Sequence, residues 1–394
     1  MSYRIPAVVI GMNHNGLGMV RHLARRGISV IAADPDPARS SMQTRYGRKW
    51  PLQAANGRLL LDDLHRLARE FTEPPVLLLT QESTVRTVSE FREELAQKYR
   101  FLLPPHELVV ALDRKEGFQA LAEQHGFAVP RSVILTSEAD LAAARDLRYP
   151  CVMKPSIKND DYAKRFSKAY KLADFTALET LYRAASPYMH SFVVQEWVEG
   201  GDADIYFCMQ YIDRSGACLA SFVGRKIRAW PPQVGGTASC TAAPEYHAAL
   251  TELTTKFFRT VGYAGIGSME YKRDARDGRF VMIEPTICRA DYQEEVAALN
   301  GTDIPLAAYH DAAGLPPPAI ARPARPQIWR DGETDRWSAQ AQGHPAPGFL
   351  SGGNVHDVLL RWYDPAPWLY ATGWRIRNWL AHRLPVAASK VKPA

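Results

Sequence analysis

The sequence predicts a mixed α/β chain: an N-terminal Rossmann-like α/β unit, then a longer α+β region. Three observations lead there. Residues 7–34 read as strand, glycine-bearing loop, helix, strand. Val76–Thr80 (VLLLT) is a second buried-strand pattern, ending at Gln81, Glu82 and Ser83. Much later, two alternating apolar runs flank an Asp277-Gly278 turn, the signal of an antiparallel hairpin.

Size and composition set the limits. At 394 residues, the chain exceeds one ordinary core and suggests two or three domains. A hydrophobic content of 46% with 23% charged residues is that of a globular protein. No apolar run reaches the length of a membrane span, and the start MSYRIPAVVIGMN lacks a signal-peptide pattern. Five cysteines without CxxC spacing fit a reducing compartment, so a cytoplasmic location is expected. The net charge is +6, but from His310 onward ten Lys/Arg stand against six Asp/Glu, leaving only +2 for the rest. Basicity gathered in the tail argues against nucleic acid as a partner.

In the first unit, Ala7–Ile10 is the opening strand, GMNHNGLG the loop, Met19–Arg26 the helix, and Ile28–Ala33 the strand that Asp34 closes. Gly11, Gly16, Gly18 and Asp34 would be the dinucleotide candidates, but Gly-x4-Gly-x-Gly is not G-x-G-x-x-G. A structural or substrate-facing loop is the stronger reading. Asn13, His14, Gln81 and Glu82 are candidates to line a substrate pocket or to bond the loops. A helix over Val85–Lys98 comes next, and the unit closes near Pro104-Pro105.

The second region alternates helix and strand. Asp113–Gly126 is helical, Ser132–Leu135 a strand, Ser137–Arg145 a helix, and Tyr149–Lys154 (YPCVMK) a strand ending in a lysine. A polar loop runs from Ile157 to Lys168, with Lys158, Lys164 and Arg165 and no glycine between Ser156 and Ser167. Phe192–Val198 is a strand stopping at Glu199-Gly200-Gly201-Asp202. Ile205–Tyr211 and Cys218–Val223 form a hairpin over Asp213–Gly216, succeeded by Arg225, Lys226 and Arg228 and a Gly235–Ser239 loop. Helices are expected over Glu245–Val261, from Glu294 to Leu299, and over Leu306–Ala313.

Gly265–Arg289 concentrates the chemistry. A turn at Asp277-Gly278 folds Glu270 back to lie opposite Glu284, on one face of two strands. Facing carboxylates repel, and a cation between them removes that cost. With the Thr286 hydroxyl and Arg289 close by, the pattern suits Mg²⁺ carrying polyphosphate. The alternative is a hairpin whose glutamates face water.

From Leu315 the texture changes to PPPAIARPARP, a proline-rich spacer, and then to a Trp-rich basic end. After Pro365 there are five basic residues and no acidic one. On a helical wheel Trp368, Leu369, Ile376, Trp379, Leu380 and Leu384 share an arc, with Trp374 outside it and Arg383 within it. A membrane-interface contact is one reading. A helix packed on the body, or on the partner in a homodimer, is the other and is preferred.

Taken together, the motifs from Ile5 to Gly314 resemble the ATP-grasp superfamily, in particular carboxylate–amine ligases of the D-aspartate ligase and carbamoyl-phosphate-synthase-like kind. The resemblance implies a pre-ATP-grasp domain over residues 1–105, a two-lobe ATP-grasp domain over 106–314, and an extension over 315–394. It implies that Lys115 and Lys154 bind phosphates, and that Gln195, Glu196 and Val198 form the adenine-holding hinge. Asp202, or Asp204 beside it, would meet the ribose. Glu270, Glu284 and Thr286 would hold Mg²⁺ (or Mn²⁺), Thr286 standing where the family has an amide ligand and Arg289 one residue late. Arg225, Lys226, Arg228 and Arg289 would grip an acyl phosphate or a substrate carboxylate. The implied reaction joins a small-molecule carboxylate to an amine, consuming ATP through an acyl phosphate. A carboxylase, a small-molecule kinase or a non-catalytic nucleotide-binding protein are the alternatives.

Overall fold

The computed structural model describes residues 3–157, 160–167, 169–345, 348 and 353–383. Lys158, Lys168, Leu384 and the side chains of Leu380 and Arg383 lie outside that description. Three sheets organise the chain.

The first sheet is parallel, in the order β3-β2-β1-β4: β1 (Ala7–Ile10), β2 (Val30–Asp34), β3 (Arg48–Pro51) and β4 (Val76–Leu79). β1, β2 and β4 are buried at every residue, as continuous apolar runs in a parallel sheet covered on both faces must be. β3, with Arg48 and Lys49, has no counterpart in the expected elements and forms the charged edge. Between β1 and β2 runs the helix His14–Arg25. Gly11 precedes it at φ 92°, where a Cβ would meet Thr80 Oγ1 at 2.3 Å, so only glycine fits.

The second sheet, β5-β8-β6-β7, is antiparallel: β5 (Ser132–Leu135), β6 (Cys151–Pro155), β7 (Tyr170–Leu172) and β8 (Phe192–Glu196). It carries its own core, in which Leu135, Met153, Phe192 and Val194 pack against Leu178 and Tyr182 of the helix Phe175–Ala185. The expected helix Ser137–Arg145 is shorter, a 3₁₀ turn Glu138–Asp140 running into Leu141–Ala144. The Asp140 carboxylate takes bonds from both Thr136 and Ser137, which holds its pKa down at about 2.

The third sheet has seven strands in the order β13-β12-β9-β10-β11-β14-β15. Its members are β9 (Ile205–Ile212), β10 (Cys218–Trp230), β11 (Gly236–Ala242), β12 (Gly265–Arg273), β13 (Phe280–Ile287), β14 (Ile328–Arg330) and β15 (Val355–Asp357). β10 runs on through Arg225, Lys226 and Arg228, and the expected Gly235–Ser239 loop is mostly β11. The glycines and threonines there read as loop in isolation; pairing with β10 and β14 makes them strand.

Residues 315–327 hold neither helix nor strand, as a proline-rich spacer should. The segment after the spacer is no appendage. β14 and β15 extend the seven-stranded sheet, and Trp329 is completely buried. Arg21 of the first helix donates to Asp364 Oδ2 at 2.8 Å, and Arg361 lies 2.8 Å from Glu295, all four side chains buried. The first and third sheets also share apolar cores, one joining Val8, Ile10 and Leu79 with Phe257, Met269 and Ile287. Among the described residues no helix is long and apolar enough to cross a membrane.

Candidate active site

The second and third sheets and the end of β4 enclose a cleft of ≈ 400 Å³. Lys115, Lys154, Gln195, Glu196, Val198, Lys226, Glu270, Glu284, Thr286 and Arg289 all line it. These residues are up to 174 positions apart in the chain and come together only in the fold.

At one end, Lys115 opens the helix Lys115–Gln124 and reaches across to β6. Its Nζ donates to the carbonyls of Pro155 at 3.0 Å and Ser156 at 3.4 Å. Lys154, near the end of β6, donates to Gln195 Oε1 at 3.4 Å. The peptides at the end of β8 are tied down: Glu196 N donates to Arg131 O and Trp197 N to Pro150 O. Trp197 faces Lys272, whose Nζ lies 5.6 Å from the ring centroid and donates to the Gly200 and Gly201 carbonyls at 2.9 and 2.8 Å. Burial lowers the pKa of that lysine, against the pull of Asp204, Asp202 and Glu270.

Glu270 and Glu284 stand directly opposite each other in the β12–β13 register, with a bulge just after Glu270. The connecting loop is longer than a two-residue turn: Asp274 N bonds Arg279 O, and Gly278 sits at φ 75°. Lys226 Nζ lies 2.8 Å from Glu270 Oε2, with the lysine side chain only 4% exposed. Across the pair, Thr286 Oγ1 is 3.5 Å from Asp291 Oδ1. Asp291 is held by Tyr292 N, Ser268 Oγ and Gln293 Nε2, and burial raises its pKa.

This donor set fits a hard divalent cation. No group of three or more His, Cys, Asp or Glu side chains converges among the described residues. Two facing carboxylates and a hydroxyl in a cleft with phosphate-reaching lysines suit Mg²⁺, which keeps several waters and takes only one or two carboxylates beside substrate phosphates.

Arg289 comes after β13 and turns toward the first sheet, its Nη2 donating to Glu82 Oε1 at 2.8 Å. Asn15 also links these two regions, bonding the carbonyls of Thr80 and Ala290 at 3.0 Å each. His14 meets the cleft through Tyr292, whose hydroxyl is 2.5 Å from His14 Nδ1 and 3.3 Å from Asp331 Oδ2. Gln81 flanks Gly11, and Asn13 accepts from Arg39.

Three expectations are corrected. Asp202 does not line the cleft: its carboxylate takes bonds from Ala229 N at 2.9 Å, Gln233 N at 2.7 Å and Gln342 Nε2 at 3.0 Å, so it braces the β10–β11 connection. Arg228 makes a two-bond pair with Asp335, at 2.6 and 3.0 Å, and is likewise absent from the lining. Arg225 neighbours Lys226 on β10 and so projects to the opposite face of the sheet. Asp34 accords with the preferred structural reading of its loop: it is completely buried and accepts from Met12 N, Asp36 N and Arg39 Nε. The competitor Asp204 bonds Gly201 N at 2.8 Å.

The structure adds lining residues that sequence reasoning passed over. Lys272 is two positions past Glu270, and strand period alone would aim it at the same face. Asp291, Tyr292 and Gln293 come after Arg289 without any pattern of their own. The tip Gln233–Gly236 closes over the cleft; a Cβ at Gly235 would sit 1.9 Å from the Trp230 carbonyl carbon.

No family model matches the chain. It is 19% identical over 316 residues to a D-aspartate ligase of Enterococcus faecium (strain Aus0004), covering 75% of this chain and 74% of that one. The fold superposes on N5-carboxyaminoimidazole synthetase of Staphylococcus aureus complexed with ADP, at TM-score 0.67 and 13% identity over 88% of this chain and 87% of that. It also superposes on an L-amino acid ligase of Bacillus licheniformis, at TM-score 0.60 and 17% identity over 83% and 80%. These likenesses, in sequence and in fold, point to the ATP-grasp superfamily and, within it, to the carboxylate–amine ligases.

Proposed function

We propose that the chain is an ATP- and Mg²⁺-dependent ligase that joins a small-molecule carboxylate to an amine, releasing ADP and phosphate. The observation that carries this is the Glu270–Glu284 pair, facing in register inside the cleft that Lys115, Lys154, Lys226 and Arg289 also line. The kinship to a D-aspartate ligase and an L-amino acid ligase supports amide formation. In this reading the first sheet is a Rossmann-like pre-ATP-grasp domain over residues 1–105, the ATP-grasp lobes span 106–314, and 315–394 is an extension.

Each side chain then has a task. Lys115 and Lys154 place point charges on the polyphosphate, which needs no fixed fork geometry. The Gln195–Val198 segment, braced by its bonds to Arg131 and Pro150, offers backbone groups to the adenine edge. Glu270, Glu284 and Thr286 hold Mg²⁺, which when bound neutralises charge between the phosphate oxygens. Lys226 supplies a cation beside Glu270, and Arg289, fixed by Glu82, supplies the other at the carboxylate end. Both are poised before reaction, so little reorganisation is needed as charge shifts. The paired partners are small molecules, and the assembly we expect is a homodimer.

The likeness to a carboxyaminoimidazole synthetase favours a second reading, ATP-dependent carboxylation with the same nucleotide residues. ADP release measured against panels of carboxylates and amines separates them. ADP that appears only with both an acid and an amine, and is lost in Glu284→Gln, is the ligase result. ADP that needs bicarbonate and one acceptor, or a single substrate, sinks the ligase reading. Failure of the protein to bind MgATP sinks both.

A further inference from the structure

Strand alternation alone would put Arg289 on the wrong face. Glu284 and Thr286 of β13 line the cleft, so by period two Cys288 would follow them and Arg289 would point into the core. The structure reverses that order. Ile287 and Cys288, consecutive residues, both lie in the core with Phe258, Tyr263 and Met269, while Arg289 lines the cleft. The reversal falls at Cys288, whose φ is 59°. Left-handed backbone is disfavoured for any residue that carries a Cβ, so neighbouring groups must hold it.

Tyr263 is placed to do so. Its hydroxyl accepts from Cys288 N at 2.6 Å and donates to Ile266 O. The ring is buried and stacks on Phe258 at 4.4 Å. Burial raises the pKa of the phenol well above its ordinary value, so the hydroxyl keeps the proton it donates. Past the turn, Ala290 N donates to Leu79 O at 3.2 Å, and Arg289 Nη2 reaches Glu82 Oε1 at 2.8 Å. Arg289 Nε is buried and has no hydrogen-bond partner among the described residues, which leaves a donor for an anion in the cleft.

We infer that Tyr263 and Cys288 are positioning residues: the Tyr263 hydroxyl latches a left-handed turn at Cys288, and that turn presents Arg289 to the acyl phosphate. The inference rests on the proposed ligase reading, in which Arg289 meets that anion. Neither residue touches substrate. The side chain at position 288 matters through the φ it allows, which glycine adopts freely and a β-branched residue resists. Without the Tyr263 hydroxyl, the Cys288 amide would be buried and unpaired, and the turn loses its latch.

Acetyl phosphate, a small acyl phosphate, titrated calorimetrically into the MgADP-loaded protein tests this. Cys288→Val and Tyr263→Phe are each expected to weaken acetyl phosphate binding by about tenfold. Cys288→Gly is expected to stay within about twofold of wild type. MgADP affinity should be the same in all four proteins, a separation that general loosening of the fold would not produce. Equal acetyl phosphate affinity in wild type, Cys288→Val and Tyr263→Phe overturns the inference alone. So does Cys288→Gly binding as weakly as Cys288→Val, which would make the thiol responsible instead of the turn. Loss of MgADP affinity in step with acetyl phosphate affinity also overturns it. Wild type that binds MgADP but not acetyl phosphate overturns the reading of Arg289 itself, and the inference with it.

Discussion

Lys226 and Glu270 approach to 2.8 Å in the cleft that Lys115 and Lys154 also line, which under the proposed function holds the lysine where charge must be met. Lys226→Met keeps the stem and removes the ammonium. It is expected to lower kcat for ADP release by about 10²–10³ with a small change in stability. Arg228 is a different case, since its guanidinium is spent on buried Asp335, which also accepts from Ser239 Oγ. Arg228→Met or Asp335→Asn should destabilise the fold by about 3–5 kcal/mol in denaturant titration, leaving the KM of the acid substrate unchanged. A raised KM with unchanged stability would return Arg228 to the substrate site. At His14, burial lowers the imidazole pKa below 6.5, with Asp331, Asp357 and Glu295 opposing and Arg39 assisting. The unfolded chain takes up that proton first as pH falls through 6.5. This contribution to stability is therefore full above 6.5 and is lost below it. Thermal melts from about pH 7.5 to 5.5 should fall less steeply in His14→Gln than in wild type.

At the scale of elements, hairpin chemistry decides much of the site. Pleat and register put Glu270 opposite Glu284, through a loop longer than the Asp277-Gly278 signal and a bulge that the sequence did not show. The β10–β11 tip was not legible in that way. Gly235 sits where backbone of Trp230 would collide with any Cβ, a fact about a neighbouring turn and not about its own sequence window. Gly235→Ala is expected to displace the Gln233–Gly236 tip from the cleft. The KM for ATP should rise, while stability falls by about 1–3 kcal/mol. Normal ATP affinity in that variant would show that the tip plays no part in nucleotide binding. Lys154 was readable because it lies near the end of an apolar strand, whereas Gln195 was singled out only through the family resemblance. Asp202 misled because an acidic residue after a strand looks available until its three donors are seen.

Across the whole molecule, the C-terminal segment closes the structure on itself. Arg21–Asp364, Arg361–Glu295 and Arg228–Asp335 each join residues 331–364 to earlier strands and helices. A chain ending at residue 365 should retain a cooperative unfolding transition, whereas one ending at residue 327 should not, because it strips β14 and β15 from the sheet and orphans two buried charges, Arg21 and Glu295. Circular dichroism melts distinguish them. What the sequence by itself determined was local: strand and helix periods, the turn at Gly278, the strand-end Lys154, and two glutamates on one face of a hairpin. These depend on side-chain spacing within a few residues, which the chain carries everywhere. Tertiary structure alone decided which polar groups are spent and which face the cleft. Arg225, Arg228 and Asp202 carry the right chemistry, but strand direction or partners distant in the chain consume it or turn it away. Asp291 and Tyr292 gain their places through the same long-range contacts, which no window of sequence contains, whereas Lys272 follows from strand period two positions past Glu270.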